Sequence, residues 1–358
     1  MFLPLTTDAL RENLDAALAH RNDATEHLTQ GAFSAEYAEN PDWAVGPFDK
    51  VSELAFSPEG QWNDPTGIGW TSSSIYNPSV IEADGVLHLF YRASPTKESL
   101  SSRIGLATRA SDGTWTDSRA NPVVFPSLDL ELYGCEDPKV YRAEGRWYLF
   151  YNGIYPLTPE AREAFTPDPS AEVGCEILLA VSDDLEHWTK LGSVVDHAVS
   201  HLWAKGAVIP RNGAGEAVRI GGEYLMFLSE GCGGRLHVGR STDFEHWTFR
   251  AEEYLDLTEL GGHLHEVACA IVDDERADVL VLDFFYGDPD GAFAAGQALY
   301  DVSSPFVQRE LHRGGALSWG GMIRSDGRHL FAQGWDAQAG ERRIDFYRET
   351  LTSTLITQ

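Results

Sequence analysis

Residues 147–152 read Trp-Tyr-Leu-Phe-Tyr-Asn, and stretches of the same kind return four more times along the chain. They are His-Leu-Phe-Tyr-Arg at 88–92, Tyr-Leu-Met-Phe-Leu-Ser at 224–229, Val-Leu-Asp-Phe-Phe-Tyr at 281–286 and His-Leu-Phe-Ala-Gln at 329–333. Each is short, aromatic and bounded by Gly, Asp, Asn or Pro, which is the pattern of a buried strand. A second unit precedes each one: Asn-Pro-Ser-Val-Ile at 77–81, Asp-Pro-Lys-Val-Tyr at 137–141, Lys-Gly-Ala-Val-Ile at 205–209, Glu-Val-Ala-Cys-Ala-Ile at 266–271 and Trp-Gly-Gly-Met-Ile at 319–323. A third, ending in Trp, follows the first three aromatic strands at 111–115, 182–188 and 241–247.

Three motifs recurring in one order mark a repeat architecture. About 310 residues shared by five units gives about 62 each, enough for four strands and their loops. The expected fold is therefore all-β, a five-bladed β-propeller over residues 46–358. Residues 7 to about 30 carry helical spacing in Leu10, Leu14, Ala17, Leu18 and Arg21, with Thr7 or Asp8 as cap. Residues 1–45 thus form a short N-terminal helical extension, expected on the outside of the propeller or at a contact between copies in a homo-oligomer.

The net charge is −28, from 27 Lys and Arg against 55 Asp and Glu, which disfavours nucleic acid and anionic membranes as partners. The N-terminus lacks a basic region followed by an apolar run, and no stretch approaches a membrane span. Cys135, Cys175, Cys232 and Cys269 are scattered, with no C-x-x-C pair. These features predict a cytoplasmic protein with reduced thiols, no metal site and no cofactor.

In a propeller the innermost strands line the axis, so Asn77, Asp137, Lys205, His265, Glu266 and Trp319 are expected to converge there. Asp137 stands in Gly-Cys-Glu-Asp-Pro (134–138), too polar a start for a purely packing strand. A carboxyl in a partly dry funnel is expected to have a raised pKa and to serve as an acid. Arg92 ends an aromatic strand facing the same region and needs an anionic partner, a carboxylate or a phosphate. Glu230 ends the equivalent strand of the third unit and is the candidate base for a nucleophilic water.

The runs at 76–81, 89–93 and 134–140, with looser matches at 205–210, 298–305 and 320–336, resemble glycoside hydrolase family 130. That resemblance implies a β-mannoside phosphorylase or inverting β-mannosidase with an oligosaccharide substrate. It implies Asp137 as proton donor, acting through a sugar hydroxyl, with Asn77, Arg92 and Lys205 around the sugar or the attacking group. Where the family's phosphorylases place an arginine, this chain has Leu-Ser-Glu-Gly (228–231), and the family's Asp-Pro-Arg is Asp-Pro-Lys (137–139). A glutamate repels phosphate, so hydrolysis with inversion is the first expectation. Phosphorolysis, with Arg92, Lys205, His201, His263 and His265 around phosphate, is the second. A carbohydrate-binding propeller without catalysis is a third. Trp62-Asn-Asp-Pro-Thr-Gly67 also resembles the nucleophile motif of family 32 fructan hydrolases, which makes Asp64 the nucleophile of a fourth, furanosidase reading.

Overall fold

The computed structural model describes residues 6–20, 30, 33, 40–58, 67–272, 275–337 and 340–350. The run containing Asp64 lies outside them.

Five four-stranded antiparallel sheets follow one another around an axis, making a five-bladed β-propeller. Blade 1 consists of Ser74–Ala83, Val86–Ser94, Arg103–Arg109 and Trp115–Asp117, and blade 2 of Gly134–Ala143, Arg146–Pro156, Val173–Ser182 and Thr189–Ser193. Blade 3 holds Arg219–Ile220, Glu223–Leu228, His237–Ser241 and Thr248–Ala251. Its innermost segment is reduced to Ala204–Lys205, paired with Glu230–Gly231, and a bridge between Val208 and Phe227. Blade 4 is His263–Val272, Val279–Gly287, Phe293–Asp301 and Glu310–Arg313. Blade 5 takes Ile323–Ser325, Arg328–Gln333 and Asp345–Glu349 from the end of the chain and Phe48–Lys50 from before blade 1. That last strand closes the ring and covers an edge that would otherwise stay open.

Local sequence explains the recurrence. In four blades the first two strands of the sheet are joined by two residues ending in Gly, all at positive φ: Asp84-Gly85, Glu144-Gly145, Gly221-Gly222 and Asp326-Gly327. Their flanks pair directly, as in Ala83 with Val86 and Ala143 with Arg146. This is the hairpin turn whose twist matches that of the strands. The Trp-ending motifs lie between the third and fourth strands. In two of them Ser182 and Ser241 accept the backbone N–H of Leu185 and Phe244, and Trp188 and Trp247 donate to the carbonyls of Leu185 and Phe244. Phe244 thereby becomes a wedge between blades 2 and 3, with the rings of Tyr224, Tyr148 and Phe150 at 4.7, 4.8 and 5.6 Å.

The N-terminal helix differs from expectation. Helix α1 (Thr7–Glu12) and helix α2 (Leu14–Ala19) are separated at Asn13, whose side chain donates to the Ala9 carbonyl, and the cap is Thr6. Residues 21–29 lie outside the described set. Ala17 is buried beside Leu100, Tyr133, Ile154 and Cys175, so this face of α2 is used within the chain. Among the described residues no helix is long and apolar enough to cross a membrane.

Asp283, in the second strand of blade 4, is fully buried and accepts from Gln297, which also bonds the Val45 backbone in both directions. Burial pushes its carboxyl up to about 8. A carboxyl protonated to pH 8 in the fold and to about pH 4 in the unfolded chain stabilises the fold fully below pH 4. That contribution is lost as pH rises to 8. Wild type should therefore lose about 2–3 kcal/mol more than Asp283→Asn between pH 6 and pH 9 in urea unfolding. Parallel pH profiles for the two proteins would contradict the assignment.

Candidate active site

Asn77 and Asp137 occupy matching places in blades 1 and 2, each just before a proline. Both have positive φ, 42° and 53°, and both sit in register breaks, between Tyr76 and Ser79 and between Glu136 and Lys139. A bulge re-aims the side chain it carries, and left-handed backbone at a non-glycine residue is strain held by its surroundings. The two bulges turn Asn77 and Asp137 toward each other. The Asn77 amide donates to Asp137 Oδ1 at 2.6 Å.

Around them lies a buried ionic quartet. Arg92 Nη1 donates to Asp137 Oδ1 at 3.0 Å and Nη2 lies 2.5 Å from Glu136 Oε2. Lys205 Nζ reaches Glu136 Oε1 at 2.7 Å and Asp137 Oδ2 at 3.1 Å. Glu136 is fully buried, and the Asp137 side chain keeps 14% of its surface open. Arg92 is enclosed as well: its Nε donates to Ser102 Oγ, its Nη2 to the Ser99 carbonyl, and Tyr76 lies under its guanidinium at 4.6 Å. With every nitrogen committed, Arg92 stands behind Asp137 and orients it.

The expected rise in the Asp137 pKa is reversed. Burial alone pushes it up, but Lys205, Arg92 and the Asn77 amide outweigh burial and hold the carboxyl well below the usual range. Lys205, pushed down by burial, is lifted well above the ordinary lysine value by Asp137 and Glu136. The resting site thus holds a carboxylate paired with an ammonium.

A second group comes from blades 3 and 4. Glu230, opposite Lys205 in the ladder, His265 and Glu266 each offer a ligand atom within 4.8 Å of the others. That spacing suits a bridging water at hydrogen-bond distance from both carboxyls, or a hard divalent cation. The sequence predicts no metal site; among the described residues these three are the ones close enough to form one. Burial, the largest influence, raises the Glu266 carboxyl to about 8 although Lys139 opposes it at 3.8 Å. Lys139 spans the axis, donating to the carbonyls of Ala268 in blade 4 and Trp319 in blade 5.

Trp319 stays out of both charged groups. Its ring stacks on Phe285 at 4.2 Å and meets Trp335 at 5.1 Å, in a cluster with Tyr76. His201 is turned to the Phe165 carbonyl, and His263 is exposed. Helix α3 (Pro159–Phe165) lies in the connection between the second and third strands of blade 2. Beside it a cavity of 280 Å³ is lined by Thr166, Asp168, His201, Trp203 and Gly231. The residues named from sequence thus fall into a tight group (Asn77, Arg92, Asp137, Lys205) and a neighbouring one (Glu230, His265, Glu266). Lys139 and the quartet's Glu136 were not assigned site roles, although both stand in the same polar run as Asp137.

The family profile described as beta-1,4-mannooligosaccharide phosphorylase matches residues 67–259, more than half of the chain. The chain belongs to glycoside hydrolase family 130. The region of the family 130 match contains Asn77, Arg92, Asp137, Lys205 and Glu230, while His265, Glu266 and Trp319 lie beyond it. A 1,2-beta-oligomannan phosphorylase of Thermoanaerobacter sp. (strain X514) is 29% identical over 132 residues, 36% of this chain and 40% of that one. A beta-1,2-mannobiose phosphorylase of the same strain is 25% identical over 169 residues, 44% of this chain and 48% of that one. The match thus spans less than half the length of either relative. A glycosyl hydrolase structure from Bacteroides ovatus superposes with a TM-score of 0.65 over 87% of this chain and 95% of that one, at 20% identity, which shows a shared fold.

Among the described residues, Glu136 is the only carboxylate bonded to both Arg92 and Lys205 besides Asp137. Glu136→Gln would leave two buried cations against one carboxylate, and it should cost about 3–5 kcal/mol in chemical denaturation. A loss below about 1 kcal/mol would contradict the quartet as the support of the site.

Proposed function

We propose that this family 130 chain is an inverting glycosidase acting on β-mannosides, with water as the acceptor. The observation that carries this reading is the distribution of charge. Arg92 and Lys205 are each paired with both Glu136 and Asp137, and the neighbouring group is Glu230 and Glu266 with His265. A phosphate dianion there would meet paired cations and additional carboxyls, whereas a water fits between the carboxyls.

In this scheme Glu230 takes a proton from the attacking water as its oxygen bonds to the anomeric carbon. The protonated Glu266 beside it donates a hydrogen bond that fixes the water. The glycosidic bond breaks on the opposite face, and the leaving oxygen receives a proton delivered from Asp137. Asp137 is ionised in the resting site and gains that proton once a bound sugar dries the funnel and draws Lys205 onto a hydroxyl. Drying adds to the burial that raises its pKa, and the departure of Lys205 removes an influence that holds it down.

Phosphorolysis is the second reading, favoured by the description of the family profile and by the two Thermoanaerobacter relatives, which are phosphorylases. It would require Lys205 to leave Glu136 or Asp137 for the phosphate.

The two readings separate on a panel of β-mannosides of differing linkage, assayed with and without inorganic phosphate and with Asp137→Asn as control. The expected result is free mannose at a rate independent of phosphate, lowered at least a hundredfold in Asp137→Asn, roughly the contribution of a general acid. Mannose 1-phosphate formed only with phosphate would overturn the hydrolytic reading.

A further inference from the structure

Two short anchors near the N-terminus touch the propeller on the end that carries the site. The first is helix α2. Leu100 donates its backbone N–H to the His20 carbonyl at 3.0 Å, the His20 ring lies 5.6 Å from Tyr133, and Ala17 fills the space beside Leu100 and Tyr133. The loop held in this way, 99–102, also holds Arg92 through the Ser99 carbonyl and Ser102 Oγ. His20 and Asp137 are therefore linked through one loop and one guanidinium.

The second anchor is Gln30, whose side chain is fully buried. Its Oε1 accepts from the Leu317 backbone at 2.9 Å, and its own N–H donates to Asp336 Oδ1 at 2.9 Å. It thus ties together the two segments of blade 5 that carry Trp319 and Trp335. Phe33 is buried in the same cluster as Trp319, Trp335 and Tyr76. The Trp319 carbonyl in turn accepts from Lys139, the cation that faces Glu266. Gln30 and Glu266 are therefore linked through one short segment and one ammonium.

We infer that the N-terminal segment is a positioning element of the active site, with Ala17 and His20 setting Arg92 against Asp137, and Gln30 and Phe33 setting Lys139 against Glu266. An outer helical appendage would have neither connection. The inference rests on the carboxyl roles proposed above: its Ala17–Arg92–Asp137 half holds whether water or phosphate is the acceptor, and its Gln30–Lys139–Glu266 half requires water. It places Ala17, His20, Gln30 and Phe33, outside the repeated blades and outside the family match, in the catalytic apparatus as supports that do not touch substrate.

Purely structural supports and positioning supports differ in what they change. A structural support lowers the melting temperature and leaves the kinetics of the folded enzyme alone. Loss of a positioning support lowers kcat with KM nearly constant, because a small displacement of a catalytic group is costly in the transition state. The two anchors also act on opposite halves of the reaction. A substrate with a good leaving group, such as a nitrophenyl β-mannoside, needs little protonation and is insensitive to the acid.

The experiment compares Ala17→Leu, which overfills the space beside Leu100, with Gln30→Ala and with Arg146→Ala, which removes an exposed pair with Asp183. Phe33→Ala and Ala17→Ser serve as milder substitutes if either test variant does not fold. Each is assayed well below its melting temperature, with whichever acceptor the wild type uses, on a β-mannobiose and on the nitrophenyl β-mannoside. Ala17→Leu should lose about tenfold or more in kcat on the disaccharide and recover most of it on the nitrophenyl substrate. Gln30→Ala should lose a similar factor on both substrates. Arg146→Ala should match wild type. Lowered melting temperatures with wild-type kcat in both test variants would overturn the inference. Equal losses that ignore the leaving group in Ala17→Leu would overturn its assignment to the acid side. A wild type that turned over neither substrate would refute the proposed function, whereas an active wild type with unaffected variants would refute only this inference.

Discussion

Two buried cations face two buried carboxylates where blades 1, 2 and 3 meet, and the rest of the site is arranged around that balance. Arg92 and Lys205 each bond both Glu136 and Asp137, so the four side chains neutralise one another in a place with little water. Charges so enclosed are tolerable only as a complete set. The two bulges hold the set in shape, since each turns a pre-proline residue inward by a left-handed backbone that β-strands otherwise avoid. Asp137 is the member with part of its surface open, which makes it the point where substrate can disturb the balance.

The carboxyls of the site are separated in proton affinity by their neighbours. Asp137 is held low by Lys205, Arg92 and Asn77, whereas Glu266, with the opposing Lys139 ammonium 3.8 Å away, is carried up to about 8 by burial. Environments that divide like groups in this way are how one site supplies both a proton acceptor and a proton donor. The resting values would by themselves make Glu266 the donor. The proposed role of Asp137 therefore depends on a shift of its proton affinity when sugar enters, driven by movement of Lys205.

Much of the propeller was legible because its blades are built from local signals. The two-residue turns ending in Gly85, Gly145, Gly222 and Gly327 join the strands whose repeats were recognised in sequence, and Asn77-Pro78 and Asp137-Pro138 recur at one blade's spacing. The closing strand Phe48–Lys50 was not separated from blade 1, because its partner, Asp345–Glu349, lies almost 300 residues away. The sign of the Asp137 shift was missed for a related reason. Burial is readable from a motif, but Lys205 and Arg92 reach Asp137 only through tertiary contacts, and together they outweigh burial. The helix expected over 7 to about 30 gives way at Asn13, whose side chain bonds the Ala9 carbonyl and ends α1. Gln30 had no signal at all, since a single buried amide tying two loops leaves no periodicity behind.

The central claim is that water attacks the face of the sugar opposite Asp137. The most direct test is proton NMR of the anomeric region in phosphate-free buffer, recorded during the first minutes of nitrophenyl β-mannoside cleavage, before mutarotation. The account predicts that α-mannose appears first, with the β anomer growing in later. Release of β-mannose first would show retention and contradict the arrangement of carboxyls described above.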